Sequence, residues 1–245
     1  MEKKKIDWGN IGFGYVQTDY RYVSTFKDGA WDEGGLTTDA NIVMNECACV
    51  LQYSQSCFEG MKAYTTEDGK IVCFRPDLNA ARMVESAQRL KMPAFPEEKF
   101  LEAIRQVVKA NAAWVPPYGS GASLYLRPYM FGWDSIIGVK PANVYQFRVF
   151  ATPVGPYFKG GFSTNPYVII RDYDRSAPLG TGIYKVGGNY AASLKANSIA
   201  HEKGYACEFY LDAKEKKYMD ECGAANFFGI KDNTYITPKS TSILP

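Results

Sequence analysis

The sequence predicts a mixed α/β chain in two parts, the first of them α+β in character. Three observations carry that expectation. Runs such as 123–131, SLYLRPYMF, and 143–153, NVYQFRVFATP, are rich in β-branched and aromatic residues and end in turn formers, as strands do. Between a similar run at 42–53 and these two lie two long amphipathic segments, and strands and helices intermix without strict βαβ alternation. The stretch 156–166, PYFKGGFSTNP, concentrates Gly, Pro, Ser, Thr and Asn and offers a linker. At 245 residues, 46% hydrophobic and 15% aromatic, the chain can bury a sizeable core as one large domain or two.

Taken in order, residues 42–53, IVMNECACVLQY, are expected as a strand. PDLNAARMVESAQRLKM, 76–92, reads as a helix, and so does PEEKFLEAIRQVVKANAAW, 96–114. In the second, Leu101, Ile104 and Val108 recur at i, i+3 and i+7, and Pro96 or Pro93 suits its first turn. The strands 123–131 and 143–153 follow. After the linker come a strand YVIIR, an irregular loop, a helix from Tyr190 to Lys203 stopped by Gly204, and strands around CEFYLD, NFFGI and TYIT. No internal repeat is visible. The expected division is 1–159 for a small first domain, 160–166 for a linker and 167–245 for a second, which stops at Pro245 without a closing element and reads as truncated.

Composition removes several function classes. Lys and Arg (28) nearly balance Asp and Glu (26), so no large field draws the chain onto nucleic acid or an acidic membrane. The EKKKID run near the start reads as a solvated arm. No apolar run approaches the roughly 20 residues that span a bilayer. The charged N-terminus is unlike a signal peptide, so a cytoplasmic location is expected. Cys47, Cys49, Cys57, Cys73, Cys207 and Cys222 lie in apolar runs and are expected as buried, reduced thiols. No CxxC pair exists, and the single histidine, His201, falls at a helix end where the dipole favours it. A zinc site and a Cys/His or Ser/His/Asp hydrolase both lack parts, and no metal is expected.

The stretch 180–193, GTGIYKVGGNYAAS, sets Lys185 between glycines ahead of a helix. A phosphate-binding GxxxxGK[ST] loop has its lysine after the glycines, and GTG is only the first part of a dinucleotide fingerprint. As a nucleophile, Lys185 needs its amine held well below the ordinary lysine value of about 10.4 by enclosure or a neighbouring cation. Asn189 and Tyr190 can supply hydrogen bonds nearby. Spacing alone leaves a surface lysine as the simpler reading.

Seven blocks in this order, LQYSQSCFEGMKAY, FRPDLNAARM, SLYLRP, VGPYFKGG, KVGGNYAAS, DECGAANFFGI and TPKSTSILP, resemble those of branched-chain amino acid aminotransferases, from about Phe13 to the last residue. The resemblance implies a two-domain pyridoxal 5'-phosphate enzyme of fold type IV, with a small N-terminal α+β domain and a larger cofactor domain, the active site between them and an obligate homodimer. It implies ping-pong transamination between leucine, isoleucine or valine and 2-oxoglutarate. By the same resemblance Lys185 binds the cofactor covalently and shuttles the substrate proton, Tyr190 meets the phenolic oxygen, Glu221 faces the pyridine nitrogen, Arg82 grips the phosphate and Leu244 packs on the ring. A carboxylate there keeps the nitrogen protonated, which suits an electron sink. Arg127 matches the residue for the distal carboxylate of glutamate or 2-oxoglutarate. Phe13, Tyr53, Phe58, Tyr125 and Tyr157 match the aromatic lining, Tyr53 reaching into the neighbouring subunit's site. Ala224 stands where some relatives carry threonine, so a hydroxyl contact to the substrate carboxylate is lost. The family's chain continues past SILP into a phosphate-holding turn, so as written this chain is expected to bind cofactor poorly. The rivals are a D-amino acid aminotransferase or aminodeoxychorismate lyase of the same fold, and an inactive dimerisation module.

Overall fold

Period-two alternation along two ten-residue strands organises the first half of the molecule. The computed structural model describes residues 2–156, 164–223 and 225–244. The chain divides into two units, Met1–Gly161 and Phe162–Pro245. The first contains β1 (Arg21–Lys27), β2 (Ala30–Trp31), β3 (Gly35–Thr37), α1 (Cys49–Tyr53), β4 (Ser56–Phe58), β5 (Met61–Thr65) and β6 (Ile71–Cys73). It continues with α2 (Pro76–Arg89), α3 (Glu97–Ala110), β7 (Ser123–Gly132) and β8 (Tyr145–Val154). The strands form one antiparallel sheet in the order β2-β1-β8-β7-β5-β6, with β3 also on β1 and β4 also on β7.

Leu124, Leu126 and Met130 of β7 and Phe147, Val149 and Ala151 of β8 are buried. Phe147 stacks on Phe95 with centroids 3.8 Å apart and meets Phe100 of α3 at 5.8 Å, so this face of the sheet turns toward the helices. Burying each such side chain is worth about 1.5–3 kcal/mol, and a one-residue slip would expose the whole set. Alternation then places Tyr125, Arg127, Tyr129, Phe131, Arg148 and Phe150 on the opposite face.

The helices α2 and α3 form where the periodicity put them. Pro76 opens α2, with Asp77 in its first turn and Arg89 in its last, as the helix dipole favours. On α3 the buried stripe is Phe100, Ala103, Ile104 and Val107, while Leu101 and Val108 are half-buried flanks. The expected stripe is therefore off by one residue at two of its three positions, because the largest ring, Phe100, is the one that docks on Phe147.

Residues 42–53 are not a strand. Asn45 accepts the Cys47 backbone N–H on its Oδ1 at 2.8 Å and the Ala48 N–H on its carbonyl at 3.0 Å, and α1 follows from Cys49. An asparagine turning the backbone back on itself overrode the apolar content of the run.

In the second unit β9 (Tyr167–Ile170) and β10 (Cys207–Leu211) run parallel, joined across α4 (Gly187–Glu202). Next, β11 (Met219–Cys222) pairs antiparallel with β10, and β12 (Gly229–Lys231) and β13 (Thr234–Ile236) make a hairpin. Ile170, Ala196 and Tyr210 form a buried cluster on which Val168 and Ile199 pack. Helix α4 starts three residues before the expected Tyr190, because Gly187 and Gly188 are helical rather than loop. Gly204 ends it with φ +79°, a left-handed position that glycine takes without strain. Of NFFGI only Gly229 and Ile230 are strand; Cys222 and Ala225 first exchange backbone hydrogen bonds of 3.1 and 2.8 Å. The first four residues of the expected linker at 160–166 lie outside the described residues.

No two cysteines are disulfide-bonded among the described residues; Cys49 and Cys57 are buried, and the other four are half-buried rather than fully enclosed. His201 sits in the last turn of α4. No helix among the described residues is long and apolar enough to cross a membrane, and no cluster of three metal-ligating side chains occurs among them.

Gly182, three residues before Lys185, allows the closest approach in this unit. A Cβ there would lie 2.1 Å from the Ser242 carbonyl oxygen and 2.3 Å from its carbon. Gly182→Ala must push two backbone segments apart, so we expect a loss of about 1–3 kcal/mol, read as a lower midpoint of thermal unfolding.

Candidate active site

Lys185 lies two residues ahead of α4, held by a staple that Asn189 makes across the loop. Asn189 is buried; its Nδ2 donates to the carbonyls of Thr181 at 2.7 Å and Tyr184 at 2.9 Å, and its Oδ1 accepts from the Thr181 hydroxyl at 2.6 Å. The hydrogen bonds expected from Asn189 near Lys185 are thus made inside the protein, fixing the segment that carries the lysine. Lys185 Nζ donates to the Tyr190 hydroxyl at 2.9 Å and lies 5.1 Å from that ring's centroid. One turn of helix separates their backbones, which is why a lysine before the helix reaches a tyrosine inside it.

Glu221, buried on β11, completes this cluster with a residue that sequence reasoning missed. Arg175 Nε lies 2.5 Å from Glu221 Oε2, with both side chains only 3% exposed. The contact lacks hydrogen-bond geometry, leaving Glu221 Oε2 and Arg175 Nη1 without hydrogen-bond partners. The guanidinium also faces the Tyr190 ring at 5.6 Å. Burial pushes the Glu221 carboxyl above its ordinary value, and Arg175 foremost, then Lys185, pull it back. A carboxylate in this state is short of one donor. Nothing in RDYDRSAPLG distinguishes Arg175 from its neighbour Arg171; only the need of a buried acid for a cation could have suggested that some arginine was missing.

In the first unit Arg82 of α2 grips Glu59 in a two-pronged pair, Nε to Oε1 at 2.7 Å and Nη2 to Oε2 at 2.8 Å. Glu59 is fully buried and also accepts from Asn79 Nδ2 at 2.7 Å, while Arg82 remains 30% exposed. One end of Arg82 is anchored and its position fixed by an acid that the sequence reading did not single out.

Phe13, Phe58, Tyr125 and Arg127 come together on the sheet face away from the helices. The Arg127 guanidinium lies 4.7 Å from the Phe58 centroid and donates to the Tyr125 hydroxyl through Nη2 at 2.9 Å and Nε at 3.2 Å. Phe13 meets Tyr125 edge to face at 5.8 Å. Next to them an apolar cavity of about 370 Å³ is lined by Phe58, Arg127, Phe131, Ile42, Met44 and Leu51, among others. Tyr53 stands apart, at the end of α1, where its hydroxyl donates to the Ile137 carbonyl. The Leu244 carbonyl accepts from Asn226 Nδ2 at 3.3 Å. Tyr157 and Ala224 lie outside the described residues.

This geometry sits in a chain with many relatives. Residues 56–245 match the family Amino-transferase class IV. A branched-chain-amino-acid aminotransferase of Haemophilus influenzae is 54% identical over 248 residues, covering 99% of this chain and 72% of that protein. One from Helicobacter pylori is 51% identical over 244 residues, again covering 99% and 72%. Among solved structures, the Escherichia coli branched-chain amino acid aminotransferase superposes with a TM-score of 0.76 at 27% identity, covering 93% of this chain and 70% of that one. A second solved branched-chain amino acid aminotransferase, holding pyridoxamine 5'-phosphate, gives 0.75 at 26%, with the same coverage. The chain belongs to the class IV aminotransferases and, within them, to the branched-chain-amino-acid aminotransferases.

Proposed function

We propose that the protein transfers the amino group between branched-chain L-amino acids and 2-oxoglutarate with pyridoxal 5'-phosphate, giving the 2-oxo acid and L-glutamate, as a homodimer in the cytoplasm. The observation that carries this reading is the Glu221 carboxylate oxygen, buried, ion-paired and lacking a hydrogen-bond donor. A protonated pyridine nitrogen is the kind of donor it lacks, and Lys185 and Tyr190 gather beside the same acid, so the residues fit the cofactor. When bound, the cofactor supplies an aldehyde for the amino group and a ring that takes up the electron pair left at the substrate's Cα.

The protein's own groups do the rest. Lys185 is the nucleophilic amine that would hold the cofactor, and its Nζ would take the proton from the substrate's Cα and return it. Tyr190, 2.9 Å from Nζ, steadies that amine and faces the phenolic oxygen. Glu221 would hold the ring nitrogen, Leu244 would pack on the ring, and Arg82 would take the phosphate with a guanidinium already oriented by Glu59. A planar fork suits a phosphate better than an ammonium does. The apolar lining of Phe13, Phe58 and Tyr125, to which Tyr157 is assigned by the same resemblance, receives methyl-bearing side chains. Arg127 beside it receives the distal carboxylate of the acidic substrate, so that one site serves both half-reactions. Ala224 offers no hydroxyl, which leaves the substrate carboxylate to backbone groups.

The homodimer draws support from the exposed apolar residues Val43, Leu51, Ile137 and Val139, 58–87% accessible, gathered in the first unit with Tyr53 held at Ile137. The reaction is tested by a coupled assay on the cofactor-loaded protein. With 2-oxoglutarate as acceptor, L-leucine, L-isoleucine and L-valine should turn over, and D-alanine and aminodeoxychorismate should not. Preference for either of the last two would replace this reading with one of its rivals in the same fold.

A further inference from the structure

Two arginines outside the proposed site are buried without an ion-paired acid among the described residues. Arg21 is 3% exposed and Arg148 is 6% exposed. Strand pairing sets Val23, Arg148 and Tyr129 in one row across β1, β8 and β7, and Arg21 follows Val23 at a two-residue step on the same face. All of their hydrogen-bond acceptors are neutral. Arg21 donates to the carbonyls of Thr38 and, at 3.1 Å, Thr18. Arg148 donates to Gln146 Oε1 at 3.2 Å and to the carbonyls of Asp39 and Asn41, each at 3.4 Å. Among the described residues no carboxylate lies within ion-pair distance of either guanidinium. The acid that feels both is Asp39, whose exposed carboxyl is tied instead to the Asn41 backbone and side-chain amides at 2.9 and 3.0 Å.

Both guanidiniums line a cavity of about 370 Å³. Gln17 and Asn41 add polar groups to its wall, and Tyr15, Tyr129 and Phe150 add rings. Two buried cations whose hydrogen-bond acceptors among the described residues are all neutral leave a positive potential in a confined space, and burying charge without a close counter-charge is unfavourable. An oxoanion would relieve it, and a guanidinium fork matches a carboxylate in two-pronged fashion. The aromatic part of the wall favours a ligand with a compact apolar body over a bare inorganic ion.

We propose that this cavity binds a small carboxylate, its charge held by Arg21 and Arg148 and its short aliphatic body against the rings of Tyr15, Tyr129 and Phe150. The site is separate from the Arg127 pocket, though Tyr129 and Phe150 line both cavities, so occupancy of one is in contact with the wall of the other. It does not depend on the assignment of the reaction.

The test is calorimetric titration of the cofactor-loaded protein with sodium isobutyrate at an ionic strength fixed by chloride. A saturable heat is expected that weakens at least tenfold in Arg148→Met and in Arg21→Met and persists in Arg127→Met. Loss of the heat in Arg127→Met, whatever Arg148→Met does, would assign the binding to the substrate pocket and overturn the proposal. No saturable heat in the wild type would overturn it too, and is the outcome if an acid from another copy of the chain fills the cavity. Inorganic phosphate serves as a second probe, and tighter binding of phosphate than of isobutyrate would reject the carboxylate assignment. Since both arginines also hold loop carbonyls, Arg148→Lys guards against misfolding: with the thermal midpoint retained, loss of the fork should weaken isobutyrate binding several-fold, and unchanged binding would refute the role of Arg148.

Discussion

Lys185→Ala in the cofactor-loaded protein is expected to lose the visible absorbance of the lysine-bound cofactor and to lower turnover by about 10²- to 10⁴-fold or more, the range associated with a positioned acid–base group. Absorbance spectra and the coupled assay check the two effects separately. The separation matters because Lys185 is given two tasks, and an added amine can restore the proton transfer without restoring the covalent attachment. The Asn189 staple runs to the Thr181 and Tyr184 carbonyls and does not use the Lys185 side chain, so the fold should be retained. Normal transamination by the alanine variant would remove Lys185 from the reaction.

Arg175→Met is expected to cost about 3–5 kcal/mol of stability near neutral pH, the usual consequence of leaving one partner of a buried ion pair without the other. Burial already raises Glu221 above its ordinary value despite Arg175. A carboxyl whose folded value is raised contributes stability that is fully present below its unfolded value and is lost as pH rises through the folded value. Removing the arginine raises the folded value further, so the loss between those two points deepens. The deficit of the variant should therefore be largest at neutral pH and shrink toward pH 4, where Glu221 carries its proton and needs no cation. Thermal unfolding of the cofactor-free protein from pH 4 to 8 measures it. A deficit that is independent of pH would mean that Arg175 contributes packing alone.

Much of the first unit was legible because its signals are local and repeated. β-Branched and aromatic content bounded by turn formers marked β7 and β8, helical spacing marked α2 and α3, and Gly204 marked the end of α4. Where a single polar side chain decided the outcome, the pattern misled: Asn45 turned an apolar run away from strand, and Gly187 and Gly188 entered the helix that their composition argued against. The stripe on α3 slipped because periodicity locates a face only to within a residue, while the docking of Phe100 on Phe147 selects one.

For the site, resemblance brought Lys185, Tyr190 and Glu221 to attention, yet no spacing in the chain linked them. Residues 185 and 190 are joined through helix geometry, which a sequence can foreshadow. Residues 175 and 221, like 59 and 82 or 21 and 148, are joined only by the way strands and helices stack.

By itself, then, the sequence determined the classes of element, most of their order and the family, since these depend on short-range propensity and on ordered blocks of residues. Only the tertiary structure decided which charges are paired: Glu221 with Arg175, Glu59 with Arg82, and Arg21 and Arg148 with no acid among the described residues. The physical reason is that the energy of a charge depends on its burial and on partners distant in the chain, and neither is encoded in local periodicity.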